Sequence, residues 1–388
     1  MLLLVLLVSI EAAVDTKEDL VLEGVYEAAI DLPRIHFILK RELTGPSLSK
    51  TEDSELEYAF LDTGASGIVI SRETAERMGV SLDAKAKFVD VGVGGEEYFS
   101  VSQPLYIGLK GIETQNQGKE NTYQFFGPWR FQVKQVEAGI LEEPLDIVGM
   151  PVMIGQIVVL NSAATNSLAY FAADIKKTND PKIPEVDVKV SLRLKKFVNT
   201  KNPENIPPLP VLTGNLVIDG VTVRYKGKVS KGSWLFDTGA TVSLISTKQA
   251  RALGIMDEND KPLVAKAFSV TIGGVGNMAE MAGFEVDNLT VPALSGRNLV
   301  FKNARLGVRD IEYFDEDKGE RAVIDGIFGS NFLCASAKME GMLPSEVSET
   351  AFDNIVIDLQ KGTLGFDVRS NPKPAIQRQE RKELKSLN

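Results

Sequence analysis

The tetrapeptide Asp-Thr-Gly-Ala occurs twice, at 62–65 and at 237–240, and the two copies share their flanks. One follows the apolar run Ala59-Phe60-Leu61 and the other follows Trp234-Leu235-Phe236. Each leads into an apolar stretch ending in serine, at Ser71 and Ser246, and the register then holds through 72–80 and 247–255. A constant offset over roughly twenty residues is an internal repeat, so the chain is made of two similar units. Any fold it adopts must place two equivalent aspartates on paired units, which is what a two-carboxylate acid/base site needs. A single such tetrapeptide has a chance expectation on the order of one per cent in a chain this size. Two copies in register are not coincidence.

Each unit reads as strand, turn, strand and helix. Phe60-Leu61 enter the first turn, Ile68-Val69-Ile70 form the next strand, and Ser71 caps a short helix ending near Gly79. In the second copy, Ser246 with Gln249 three residues on makes a capping-box pattern. Glycine-rich segments follow in both halves, at 89–95 and 270–276, with the spacing of tight turns or hairpin tips. Gly92, Gly94, Gly95 and the nearby Tyr98 are the flap candidates, although Tyr98 is given no catalytic role. Each half then carries an apolar-apolar-glycine element, ending at Gly149 and Gly329. Strand pairs close the halves, 157–160 with 169–171 and 355–357 with 364–366, and earlier strands are expected at 25–31 and 35–39.

Six of the seventeen prolines fall between 176 and 210, flanking an alternating strand at 186–194, and this marks a linker whose strand opens the second half. A chain of 388 residues accommodates two domains. The expected divisions are a possible signal peptide at 1–13, a first lobe at 14–177, and linker plus first strand of the second lobe at 178–210. The second lobe then spans 211–370, and 371–388 is a polar, disordered tail. Strands dominate throughout, so the fold class is all-β, with two lobes and short helices.

Scarce residues narrow the chemistry. One histidine, His36, excludes a His-Glu-x-x-His metal site, and one cysteine, Cys334, excludes an internal disulfide and Cys-rich zinc binding. A Ser-His-Asp triad would need His36, which lies in an apolar strand-like run. The acidic run Asp315-Glu316-Asp317 does not match the spacing of a calcium loop. No metal and no cofactor are expected. A formal net charge of −10 argues against nucleic acid as partner. Nine of the first ten residues are apolar, too short a run to span a bilayer but suited to a signal-peptide core. Export to the periplasm or exterior is the expected localisation, with the cytoplasm as alternative, and no integral membrane segment is expected.

Two carboxylates about 3 Å apart cannot both ionise, so they share a proton. The ionised one can act as base on a water, and the protonated one can donate to an amide carbonyl. Gly64 and Gly239 allow a tight turn that aims backbone N–H groups at the carboxylates, and Thr63 and Thr238 can hydrogen-bond across the interface.

These residues carry a resemblance. The chain resembles the aspartic peptidases, in which Asp-Thr-Gly loops from two similar β-barrel-like lobes meet at a central cleft. The resemblance spans most of 20–370 and implies that fold here. It also implies Asp62 and Asp237 as the catalytic pair, with Gly149 and Gly329 packed beneath the loops. Pepsin-like enzymes carry Ser or Thr after the glycine, whereas Ala65 and Ala240 resemble the retroviral-type (retropepsin-like) peptidases, normally dimers of one-lobe chains. The implied molecule is a monomer with an internal pseudo-dimer, taking a polypeptide substrate in extended conformation. No long prosegment is expected, since strand-like sequence begins soon after the leader. Without a hydroxyl beside either aspartate, activity is expected at mildly acidic pH. The alternative function is a catalytically silent peptide-binding protein on the same fold. A sugar hydrolase is a poorer match, because its carboxyls stand about 5 Å or more apart.

Overall fold

Alternation of buried and exposed side chains produces strands through most of the described residues, as at 188–191, where Val188 and Val190 face inward and Lys189 and Ser191 outward. The computed structural model describes residues 18–23, 33–48, 57–111, 123–135, 146–161, 172–197, 205–315, 318–334 and 351–369. The leader, the strand expected at 25–31, the segment 169–171, Glu316, Asp317 and the tail at 371–388 lie outside them.

The first half supplies β1 (Leu20–Glu23), β2 (Arg34–Lys40), β3 (Tyr58–Leu61), β4 (Ile68–Ile70) and helix α1 (Arg72–Arg77). It continues with β5 (Leu82–Gly92), β6 (Gly95–Ser102), β7 (Leu105–Lys110), β8 (Gln124–Trp129), β9 (Gln132–Lys134), β10 (Ile147–Val148), β11 (Ile157–Asn161) and β12 (Ala172–Lys176). The middle holds β13 (Val188–Ser191) and β14 (Arg193–Lys195). The second half begins with β15 (Asn215–Tyr225), β16 (Lys228–Asp237), β17 (Leu244–Ile245), α2 (Thr247–Ala252), β18 (Phe268–Gly274), β19 (Asn277–Val291) and β20 (Leu299–Val308). It ends with β21 (Glu312–Asp315), β22 (Glu320–Val323), β23 (Gly326–Gly329), α3 (Ser330–Leu333), β24 (Phe352–Asp358) and β25 (Thr363–Val368). Among the described residues the molecule is mostly β, with a few short helices and two similar units.

The repeat folds as its pattern implies. Ser71 caps α1 by accepting from Thr74 N at 3.0 Å, and Ser246 caps α2 by accepting from Gln249 N at 3.3 Å. The reciprocal half of the capping box is not made. Ser246 N donates to Asp325 O at 3.0 Å, and the Gln249 side chain donates to Lys231 O at 3.3 Å. Gly79 ends the first helix turn at φ +64°, a conformation that suits glycine.

Two large sheets form, of 14 and 9 strands, and the chain exchanges strands between them. β1 pairs parallel with β20 in the second-half sheet. The C-terminal hairpin β24–β25 joins the first-half sheet through β11, Val158 facing Ile357. The sheets therefore do not divide the chain at the lobe boundaries expected from the sequence. The linker strand differs too. Instead of one strand opening the second lobe, it splits at Leu192: β13 pairs with β25 in the first sheet, and β14 with β15 in the second. Leu192 N donates to Gly362 O at 2.8 Å at the crossing. Alternation marks a strand but does not say which edge it joins.

The C-terminal hairpin buries Phe352, Ile355, Ile357, Leu364 and Phe366, with the Phe352 and Phe366 rings 4.8 Å apart. Phe366→Ala is expected to cost about 3–5 kcal/mol in urea unfolding, since it leaves a cavity in the core shared by both ends of the chain. A loss below about 1 kcal/mol would contradict that burial.

Candidate active site

β3 and β16 end at the two aspartates. In the first half β10 runs parallel to β3, Leu61 facing Val148, and antiparallel to β4. In the second half β23 runs parallel to β16, Asp237 facing Gly329, and antiparallel to β17. This lays Gly149 and Gly329 directly under the loops. Met150 N donates to Ala65 O at 2.9 Å, and Ser330 N to Ala240 O at 2.8 Å. A Cβ at Gly149 would lie 3.0 Å from the Ala65 carbonyl carbon, and one at Gly329 2.6 Å from Ala240 O. Neither site admits a side chain.

The loops interlock. Thr63 N donates to Thr238 Oγ1 and Thr238 N to Thr63 Oγ1, both at 3.0 Å. Each hydroxyl donates onward across the interface, Thr63 Oγ1 to Phe236 O at 2.7 Å and Thr238 Oγ1 to Leu61 O at 2.6 Å. Both threonines are buried, so four hydrogen bonds are made where water cannot substitute. Gly64 N and Ala65 N donate to Asp62 Oδ1 at 2.7 and 3.2 Å, and Gly239 N and Ala240 N to Asp237 Oδ1 at 2.9 and 3.0 Å. Neither Gly64 nor Gly239 has a positive φ, so a left-handed turn is not why they are glycine. The reason is close approach: a Cβ at Gly239 would lie 2.5 Å from the Asp62 carboxyl carbon, and one at Gly64 2.5 Å from Asp237 Oδ1.

The two carboxyls are brought together, each lying against the glycine of the opposite loop, and each perturbs the titration of the other. Both aspartates keep some solvent access while protein encloses them on most sides. Burial raises the Asp62 pKa above the carboxylate range, against the bond from Asp237 and the amides of Gly64, Ala65 and Gly239. Asp237 is pushed well above that range, first by burial and then by the charge of Asp62 and the bond with it. Two carboxyls this close disfavour ionising together.

Two hairpins meet beside the loops. The β5–β6 turn carries Val93-Gly94, and the β18–β19 turn carries Val275-Gly276. Gly94 N donates to Val275 O at 3.0 Å, and Gly276 N to Glu97 Oε2 at 3.1 Å. Val93 packs on the second-half cluster around Leu235, Leu244 and Ile327, which also takes in Ala240, and Val275 packs on the first-half cluster around Val69 and Phe99. Gly92, Gly94 and Gly95 thus lie at a tip. Tyr98 does not: it is 51% exposed on the outer face of β6, because the pleat turns Glu97 and Phe99 inward instead. Glu97 is 3.7 Å from buried Lys134.

Sequence reasoning missed three contributors. The second hairpin tip at 273–276 was legible as a repeat of 92–95 but not as its contact partner. Asn215 of β15 donates to Thr63 O at 3.1 Å and to Gly64 O at 2.8 Å, and nothing in its local sequence marks it. Ser330 Oγ donates to Thr238 O. Of the weaker candidates, Cys334 is buried with its thiol pushed up to about 12, so no thiolate forms, and buried His36 stacks at 4.2 Å on Tyr58. Asp315 is paired with Lys195 at 2.9 Å. Among the described residues no group of three His, Cys, Asp or Glu is placed to hold a metal, and no helix is long and apolar enough to cross a membrane.

A family model described as aspartyl protease matches residues 221–332, a stretch that holds Asp237, the second hairpin and Gly329. The resemblance is to the aspartyl proteases. No curated protein matches the chain. Solved structures similar to this chain include conglutin gamma from lupine seeds, at 10% identity and TM-score 0.43, with 91% of this chain and 96% of that one covered. The aspartic proteinase from Irpex lacteus is similar at 12% identity and TM-score 0.42, covering 87% and 97%. Basic 7S globulin from soybean is similar at 9% identity and TM-score 0.45, also covering 87% and 97%.

Either Thr63→Ala or Thr238→Ala should destabilise the protein by about 1–3 kcal/mol, because each leaves buried partners unpaired, whereas Thr→Ser should retain most of the stability. Calorimetry of the four variants checks this. The raised pKa of Asp237 has its own signature. Its folded state holds a proton that the unfolded chain releases, so the stability it confers is complete below the unfolded pKa and is lost as pH rises through the folded one. Asp237→Asn removes that loss, and its stability relative to the parent should increase from about pH 4 to pH 8 in urea unfolding. Asp90 and Asp146, also raised by burial, act in both proteins and cancel in the difference.

Proposed function

We propose that this chain is an aspartic endopeptidase that hydrolyses peptide bonds with a water activated between Asp62 and Asp237. The observation that carries the reading is the contact of the two carboxyls, held by reciprocal threonine bonds across two equivalent loops. A tight turn alone needs no such partner, and a carboxyl pair enclosed by protein costs stability that a purely structural role does not repay.

The ionised carboxyl takes a proton from the water as its oxygen bonds to the amide carbon, while the protonated carboxyl gives its proton to the carbonyl oxygen. In the tetrahedral diol that results, the first carboxyl passes its proton to the nitrogen. The second recovers one from a hydroxyl as the C–N bond breaks. An acid and an amine leave, and the dyad again holds one proton. The near-twofold arrangement of loops and hairpin tips, with alanine after each glycine, supports two retroviral-type units fused on one chain and working as a monomer. The hairpins are the flaps of this reading. Their tip contacts, Gly94 to Val275 and Gly276 to Glu97, must part to admit an extended polypeptide, which then pairs with strand edges.

Digestion of a random peptide library tests the proposal. The parent should cleave in a pepstatin-sensitive way at mildly acidic pH, and Asp62→Asn and Asp237→Asn should each abolish cleavage while keeping the parent's circular dichroism. Undiminished cleavage by either variant, or a rate maximum below about pH 3, would contradict it. Peptide binding without cleavage by the parent would favour a silent binding protein instead.

A further inference from the structure

The two loops are equivalent in sequence, but the groups behind them are not. The Thr63 carbonyl and the Gly64 N–H belong to one peptide unit, and the Gly64 carbonyl and the Ala65 N–H to the next. Both N–H groups donate to Asp62 Oδ1, and both carbonyls accept from the single Nδ2 of Asn215. Asn215 therefore backs the Asp62 carboxyl through two peptide units in parallel. A carbonyl that accepts a hydrogen bond makes the N–H of its own peptide a stronger donor, and N–H donation favours an ionised carboxylate. Asn215 is 3% exposed, so water does not compete for the contact.

The Asp237 loop lacks this support. The Thr238 carbonyl accepts from Ser330 Oγ, but among the described residues no donor reaches the Gly239 carbonyl. Register explains the asymmetry. Val217 faces Leu235 across β15–β16 as Arg34 faces Phe60 across β2–β3. Two residues before Val217 stands Asn215, whereas position 32, two before Arg34 in the sequence, is a leucine outside the described residues and has no side-chain donor to offer. The donor also crosses the interface, because Asn215 belongs to the sheet that carries Asp237 but serves the loop that carries Asp62. The titratable group facing each aspartate is the other aspartate. β15 and α3, packed against the loops, present Asn215 and Ser330, which do not titrate.

We propose that Asn215 is a positioning residue that breaks the twofold equivalence of the dyad, keeping the shared proton on Asp237 and leaving Asp62 as the base toward water. This rests on the peptidase reading for its consequence in catalysis but not for its proton assignment.

Carbon-detected NMR titration of the two aspartate carboxyls in the parent tests the assignment without turnover, and Asp62 should ionise at lower pH than Asp237. In Asn215→Ala the Asp62 titration and the acid limb of the kcat/KM profile should both move up by roughly half a unit to one unit, with KM little changed. Ser330→Ala should move mainly the alkaline limb, and the acid limb by less than Asn215→Ala does, since the one peptide it supports, through Gly239 N–H, serves Asp237 as well as Asp62. An equal acid-limb shift in both variants, or a uniform loss of rate in Asn215→Ala with unmoved limbs, would reduce Asn215 to a structural role and overturn the proposal. So would Asp237 ionising before Asp62 in the parent, a result that stands even if Asn215→Ala fails to fold. If the parent cleaves no peptide but the carboxyls titrate in the expected order, the peptidase reading fails and the proton assignment survives.

Discussion

The reciprocal hydrogen bonds of Thr63 and Thr238 are the constraint on which the rest of the structure depends. Each threonine lends its hydroxyl oxygen to the other's backbone N–H and donates its own proton to a carbonyl on the strand that leads into the opposite loop. Because these groups are buried, separating the loops would strand several polar atoms at once, which is costly in a low-dielectric interior. The loops therefore approach closely enough that glycine is required opposite each carboxyl, and the carboxyls are forced together. That closeness is what disfavours ionising both carboxyls at once.

Around this junction the two halves are stitched in more ways than a pair of lobes joined by a linker. β1 lies in the second sheet, β24 and β25 lie in the first, and β13 and β14 divide between them. Each hairpin tip places a valine against the opposite half's apolar cluster, so the approximate twofold relation extends from the loops to the tips. Against that symmetry, Asn215 serves only one loop. An internal repeat keeps its backbone symmetry while single side chains diverge.

Much of the fold and the heart of the site were legible in the sequence because they are written in local pattern. The doubled Asp-Thr-Gly-Ala, the serine caps and the apolar-apolar-glycine elements each have a physical reason to recur at fixed spacing, and each takes the place its pattern implies. Tyr98 was a poorer guide, because nearness to a glycine turn does not reveal which face of the pleat a residue occupies. The capping box at Ser246 was half right for a similar reason, since a tertiary partner, Asp325, outcompeted the local one.

By itself, then, the sequence determined that two equivalent strand–turn–strand–helix units exist, that each presents an aspartate, and that one histidine and one cysteine rule out a His-Glu-x-x-His metal site and an internal disulfide. Those are properties of residue type and short-range spacing. Only the tertiary structure decided which sheet each terminal strand joins, that the hairpin tips touch, why glycine faces each carboxyl, and that an asparagine from one half supports the aspartate of the other. These depend on contacts between residues about 150 or more positions apart in the chain, where no local propensity reaches and burial with hydrogen-bond satisfaction chooses the partner.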